Sequence, residues 1–269
     1  MKDNWRKYNG AIIPLQSPHI EVKELRDEIQ ELVQQNNVFF ARWISDFDCK
    51  KEIFFWYCIH DTPMQMSDYS ANTRNQIKKG INNFQINIID KSVIETEGYD
   101  IYASAFQSYN TLFQLKPKDI FIKELEGEWE FWGVYFKDVL IGYSQNKIAD
   151  RCCDYSTIKI NPTYKKMYPN YALFFVMNKY YLNEKNLKYV SDGARSLVHQ
   201  SNIQEFLIKK FKFRKAFCRL HVLYSPFTKK VVYLLYPLRV FLCSVNITFF
   251  KKIGLVLMQE EIIRHQLNE

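Results

Sequence analysis

The sequence predicts a mixed α/β protein: a mainly antiparallel sheet flanked by helices, with a smaller N-terminal α/β segment in front and a helical tail behind. Three observations carry this. Short runs rich in aromatic and β-branched residues recur along the chain, stretches with apolar residues at helical spacing lie between them, and two alternating runs meet at Lys137-Asp138 as a hairpin would. A chain of 269 residues, 47% hydrophobic and 16% aromatic, holds a genuine core in one large domain or two small ones. With only 8 glycines, 8 prolines and no repeat, disordered and fibrous classes are excluded.

Taken in order, residues 38–47 (VFFARWISDF) and 52–60 (EIFFWYCIH) read as strands of a small N-terminal sheet. Residues 67–81 form a polar, basic helix that Ser67 or Asp68 caps and Gly80 ends. NFQINIID follows as a strand. From 92 to 113, Val93, Ile94, Tyr99, Tyr102, Ala105, Phe106, Tyr109 and Phe113 recur at helical intervals, giving a helix pair that ends before Pro117. Residues 128–149 are the two strands of the hairpin, and CDYSTIKI is the third antiparallel strand. The loop PTYKKMYPN leads into a buried helix, YALFFVMNKYYLNE, and LKYVSDG is a short strand after it. Ser201 with Gln204 forms a capping-box signature for a helix reaching Phe211, and KFRKAFCRLHVLY closes the sheet as one strand or a bent pair. The tail contains VVYLLYPLRVFLCSVNITFF, interrupted by Pro237, Arg239 and Asn246. It reads as an interfacial or core-packed helix pair, with Lys229, Lys230, Lys251 and Lys252 at its ends, before it reads as a span.

Thirty-seven basic residues against twenty-nine acidic give a net charge of +8, which favours anionic partners, although a solvated basic surface accounts for it equally well. The first residues, MKDNWRKYNGAIIPLQ, contain no apolar run of secretory length, so a cytoplasmic location is expected, with peripheral contact at the inner membrane face through the tail. Cys49, Cys58, Cys152, Cys153, Cys218 and Cys243 lack CxxC spacing and lie in apolar stretches. They read as buried thiols, with neither a disulfide frame nor a metal site.

From residue 84 the order is strand, helices, three antiparallel strands, helix, strand, helix, strand. In this order the chain resembles the GNAT acyltransferase superfamily. The segment NIQEFLIKKFKFRK is similar to that superfamily's late N-x-x-A…Y-x-K-x-G-F pattern, with Asn202, Lys210 and Phe213 at matching positions. The segment SANTRNQIKKGINNFQINII resembles the S-x-x-x-R-x-x-I-x-x-G/A run of the Fem-type peptidyl- and acyltransferases within it. The resemblance implies a GNAT-like core over 83–226, a degenerate GNAT-like or accessory segment over 1–82 and a helical tail over 227–269.

The resemblance also implies acyl transfer from acetyl-CoA or another acyl-CoA to an amine or hydroxyl of a small-molecule or envelope-precursor acceptor. The Fem-type alternative is aminoacyl transfer from a charged tRNA, and a third reading is a non-catalytic, membrane-associated module. Coenzyme A phosphates would meet the start of the helix after the third antiparallel strand, at Tyr168, Asn170 and Tyr171, where the usual glycine pattern is replaced by bulkier residues. Asn202 and Lys210 would complete the cofactor site, and Arg74, the Arg of the Fem-like run, would bind substrate. The superfamily's tyrosine falls near Ile208 or Lys209, neither of which can serve, so His199 is the candidate acid and a loop-ordering histidine the alternative.

Read from the residues alone, Asp192 and Arg195 sit at the carboxyl end of a strand, where open α/β sheets place ligand-binding groups. Asp192 is a catalytic candidate, and Arg195 would bind an anionic part of the substrate or pair with Asp192 as a loop clamp. Glu130 alternates with its aromatic neighbours along a strand, as a base toward an amine or as a solvent-facing position. The run KKFKFRK suggests nucleic-acid stacking, against a structural reading in which its phenylalanines point inward, and the structural reading is preferred.

Overall fold

A computed structural model describes residues 4–108, 114–195, 203–244 and 248–267. Contacts divide the chain into two interleaved units. The first takes Met1–Tyr57, Ala194–Ser201 and Lys215–Glu269, the second Cys58–Gly193 and Asn202–Arg214, whereas the sequence division at 82/83 and 226/227 is contiguous.

In the first unit, β1 (Trp5–Tyr8) and β2 (Ala11–Pro14) form a hairpin whose two turn residues, Asn9 and Gly10, both take positive φ. Helix α1 (Arg26–Gln35) opens with the Glu28 carboxylate accepting the Leu25 N–H at 2.9 Å. It returns the chain so that β3 (Phe40–Cys49) runs parallel to β2. Ile29, Leu32 and Val33 of α1 close a core with Trp5, Ile12, Val38, Ala41 and Leu223. The small N-terminal sheet is thus present, but β3 pairs on its other side with a strand from far along the chain, β10 (Arg214–Tyr224). That strand is single, with a bulge between Phe217 and Arg219. Strand β4 is confined to Trp56–His60, shorter than the expected run from 52.

The second unit carries a sheet in the order β4-β9-β8-β7-β6-β5. Helix α2 (Ala71–Asn83) starts three residues later than expected. Ser70, not Ser67 or Asp68, is its cap, accepting the Thr73 N–H at 3.3 Å, while Met66–Asp68 form a separate 3-10 turn. It also passes Gly80, which is buried and does not end it. Strand β5 (Gln85–Ile89) leads to α3 (Lys91–Val93), a π turn at Ile94–Gly98 and α4 (Tyr99–Gln107) as one rod, and residues 109–113 lie outside the described part. The second helix, α5 (Lys118–Lys123), follows Pro117 instead of preceding it, as expected for a residue that favours the start of a helix.

Strands β6 (Glu130–Phe136), β7 (Val139–Ala149) and β8 (Cys152–Ile160) are consecutive and antiparallel. Their turns, Lys137-Asp138 and Asp150-Arg151, place both central residues at positive φ, matching the sheet's right-handed twist. Helix α6 (Pro169–Asn178) continues through a π turn, Lys179–Glu184, and crosses to β9 (Tyr189–Ala194), which lies parallel to β8. Then comes α7 (Ile203–Phe211), with Leu207 and Phe211 buried. The strand and helix order predicted from residue 84 is therefore the observed one.

In the tail, Pro237 breaks the apolar run as expected, giving α8 (Pro226–Leu235), a 3-10 turn at Tyr236–Leu238, α9 (Arg239–Ser244) and α10 (Thr248–Leu267). Val232, Leu242 and Leu257 pack together. Among the described residues no helix is long and apolar enough to cross a membrane.

Candidate functional site

In the second unit, β8 and β9 pair only at Cys152↔Tyr189, Cys153↔Val190 and Asp154↔Ser191. Beyond that point β8 runs on to Ile160 and β9 to Ala194 without a further pair between them among the described residues. The strands part, and among the described residues no strand pairs with the β9-facing edge of β8 past Asp154. An unpaired edge offers backbone donors and acceptors to a ligand that lies along it.

Asp192 stands at this fork. Burial, and then the neighbouring Asp154 carboxylate, push its carboxyl up to about 7, partly offset by a hydrogen bond from Gln204. Gln204 is buried on α7 and also approaches the Asp192 main-chain carbonyl at 3.4 Å, fixing the strand end from the helix. Gly193, next in line, takes φ +79°, a conformation that glycine adopts without strain. A carboxylate poised near neutrality at an open strand end is suited to accept a proton.

The start of α6 has different chemistry. Tyr168 takes a left-handed conformation, and its carbonyl accepts the N–H groups of Tyr171 and Ala172 at 3.1 and 3.3 Å. Pro169 has no N–H, so of the first four helical residues only Asn170 retains an uncommitted main-chain donor. The same turn is covered by α2: a Cβ on Gly80 would come within 2.5 Å of the Tyr168 carbonyl oxygen and 3.1 Å of the Ala172 Cβ. Tyr171 points its ring edgewise at Phe206, centroids 5.0 Å apart, and packs beside Phe211. Helix packing consumes what a phosphate-binding helix start would use.

A second polar cluster lies within the sheet and α6. The Tyr181 hydroxyl donates to Glu130 at 2.5 Å and accepts from Trp132 Nε1 at 2.8 Å and Asn146 Nδ2 at 3.0 Å. Ser144, as buried as Asn146, donates to its amide oxygen at 2.6 Å. Burial holds the Tyr181 phenol well above its usual range. This network ties β6 and β7 to the end of α6, and Glu130 and Asp192 keep separate sets of partners.

By sequence, the chain matches no described protein family and no curated protein. Solved structures do match it. L-PGS from Bacillus licheniformis matches at a TM-score of 0.55, over 96% of this chain and 84% of that one, with 8% identity. FemX matches at 0.53, over 80% and 72%, with 10% identity. The C-terminal DUF2156 domain assigned to a lysylphosphatidylglycerol synthetase of Agrobacterium fabrum matches at 0.52, over 85% and 82%, with 9% identity. The fold is the GNAT-like fold in its Fem-type form.

Within this Fem-type fold the remaining candidates fall into distinct places. Arg74 donates to the Tyr69 carbonyl at 2.6 Å and so braces the turn before α2. Arg195, in the first unit, uses its main-chain N–H on the Trp56 carbonyl at 2.9 Å and its guanidinium on the Phe54 carbonyl, main-chain oxygens and not a carboxylate. Lys210 is half-buried in the last turn of α7. His199 and Asn202 lie outside the described residues. The basic run is structural in its aromatic part: Phe211 and Phe213 are buried. Within the run, Lys209 pairs with Glu205, and Arg214 grips Asp61 through Nε at 3.2 Å to both oxygens, which holds the Asp61 carboxyl below its usual range.

Sequence reasoning passed over Tyr181, Asn146, Ser144 and Asp154, and read Gln204 only as part of a helix cap. One visible signal was the polar triplet Ser144-Gln145-Asn146 in the middle of an otherwise apolar strand; all three are buried. Among the described residues no group of His, Cys, Asp and Glu could hold a metal ion.

Proposed function

We propose that this chain is an acyltransferase in which an acceptor amine or hydroxyl attacks an acyl ester at the fork of β8 and β9, with Asp192 as general base. The observation that carries this is the carboxyl pushed up to about 7 at the point where the strands part. The acyl carbonyl would lie along the open edge of β8, whose backbone N–H groups would stabilise the oxyanion; Asp192 would take the acceptor's proton, held in place by Gln204, and return it to the ester oxygen as the acyl C–O bond breaks and the donor leaves as its free hydroxyl. A buried carboxylate beside another carboxylate costs stability, and its presence here argues against a decayed, purely binding role.

For the donor, an aminoacyl-tRNA fits better than acetyl-CoA or another acyl-CoA. The helix start that would carry coenzyme A phosphates keeps only the Asn170 N–H uncommitted in its first turn and is covered by α2. Lys78 and Lys79 on α2 and Lys165 and Lys166 just before α6 are exposed around it, a cationic surface for a nucleic-acid backbone. One synthetase domain that shares the fold is named for lysylphosphatidylglycerol, a phospholipid, which supports a lipid-borne acceptor here as well. Calorimetric titration with acetyl-CoA and with charged tRNA separates the donors. Salt-sensitive tRNA binding without acetyl-CoA binding is expected, and tight acetyl-CoA binding would remove this choice of donor.

A further inference from the structure

Helix α8 turns an unusual face outward. Thr228 and Val232 are buried and Leu235 packs against the core of the tail, yet the opposite arc carries Phe227, Tyr233 and Leu234 at 74%, 79% and 73% exposure. The pattern continues past Pro237, with Leu238, Val240 and Phe241 at 53%, 75% and 66% exposed. Single exposed apolar residues are ordinary; six large ones within fifteen residues, along α8, the turn after it and α9, are an apolar stretch that water does not favour. The helices remain in place from below: Leu242 joins Val232 and Leu257 in the core, and the Tyr236 ring is capped by Arg264 at 3.8 Å and Arg239 at 4.4 Å.

The charge on this patch selects its occupant. Lys229 and Lys230 are exposed on the same outward arc of α8, between Phe227 and Tyr233. No aspartate or glutamate occurs between Glu205 and Glu260, so α8 and α9 carry no acidic side chain of their own, and Glu261 of α10 meets α9 through its ion pair with Arg239 at 3.3 Å. Apolar and aromatic side chains interleaved with lysines, on helices too short to span, are the pattern of an element that lies in a membrane interface, its rings and aliphatic groups among the acyl chains and its ammonium groups at the phosphates. We infer that the outer face of α8 and α9 docks the protein onto an anionic phospholipid surface. This deepens the proposed function by bringing the enzyme to a lipid-borne acceptor, but it rests on the surface itself and not on the transfer chemistry.

Flotation of the full chain with phosphatidylglycerol-containing vesicles, with pure phosphatidylcholine vesicles and without lipid tests it. The wild-type protein is expected to float with the anionic vesicles, less with the neutral ones, and to lose binding as salt is raised. The variant Phe227→Ser/Tyr233→Ser/Leu234→Ser is expected to lose binding by on the order of tenfold or more, since its removed groups supply the apolar contact. The variant Lys229→Glu/Lys230→Glu is expected to retain its apolar contact and lose its preference for anionic lipid. Transfer to a water-soluble acceptor should be unchanged in both, which separates a failure of docking from a failure of the transfer reading. A wild-type protein that stays unbound with anionic vesicles at low salt, or variants that float as it does, would overturn the inference. So would a wild-type dimer that the serine variant dissociates and that binds no vesicles, because the face would then serve a second copy.

Discussion

Replacing Asp192 with asparagine removes the charge but keeps the shape, and its consequences differ with pH in a way that the structure determines. The folded carboxyl titrates near 7, against 3.8 for an ordinary solvated aspartate, so the folded protein holds this proton more tightly than the unfolded chain does. The contribution of Asp192 to stability is therefore greatest below about pH 4, falls as pH rises through the window from about 4 to 7, and levels off above it. A difference of about three pH units corresponds to a ceiling of about 4 kcal/mol, and partial exposure of the group brings the expected effect to about 2 kcal/mol. Urea unfolding at pH 5 and pH 8 reads it. Asp192→Asn should be the more stable protein at pH 8, should lose that advantage at pH 5, and should lose on the order of 100-fold in turnover as a missing base. Equal pH dependence in both proteins would refute the burial argument, and full turnover in the variant would remove Asp192 from the chemistry.

Glu130→Gln weakens the acceptor for the Tyr181 hydroxyl inside the sheet. It should cost about 1–2 kcal/mol in denaturant unfolding while leaving turnover within a few-fold, whereas a collapse of turnover at unchanged stability would make Glu130 the base. Gly80→Ala drives a methyl against the Tyr168 carbonyl, a main-chain atom that cannot rotate away. A loss of about 1–3 kcal/mol is expected in thermal unfolding, and an unchanged melting temperature would mean that α2 does not seal this turn. Arg74→Ala should lower stability by about 1 kcal/mol through the lost bond to Tyr69 without changing tRNA affinity, and weaker tRNA binding at unchanged stability would return Arg74 to the substrate site.

What the sequence disclosed followed from local patterning. The hairpin at Lys137-Asp138, the buried helix after the third strand and the break at Pro237 are each written in a few adjacent residues, and their order was enough to suggest the GNAT-like core. Long-range pairing was less legible. Nothing local indicates that β3 takes β10 as its neighbour, nor that Gly80, a plausible helix end, is a contact point for α6. Asp192 was found because it stands at a strand's carboxyl end, but its state depends on Asp154 from β8 and Gln204 from α7, brought in by the fold. The basic run misleads in isolation for the same reason: the phenylalanines that suggest base stacking are buried, and one of its cations is committed to Asp61.

Acyl transfer at the fork is tested most directly by following label from a pool of charged tRNA, and separately from acetyl-CoA, into phosphatidylglycerol vesicles and a panel of soluble amines. Wild-type protein is expected to move label from the tRNA ester, to move none from acetyl-CoA, and to lose the activity in Asp192→Asn. Label moved only from acetyl-CoA, or moved equally well by the asparagine variant, would show that the donor site or the base has been placed wrongly.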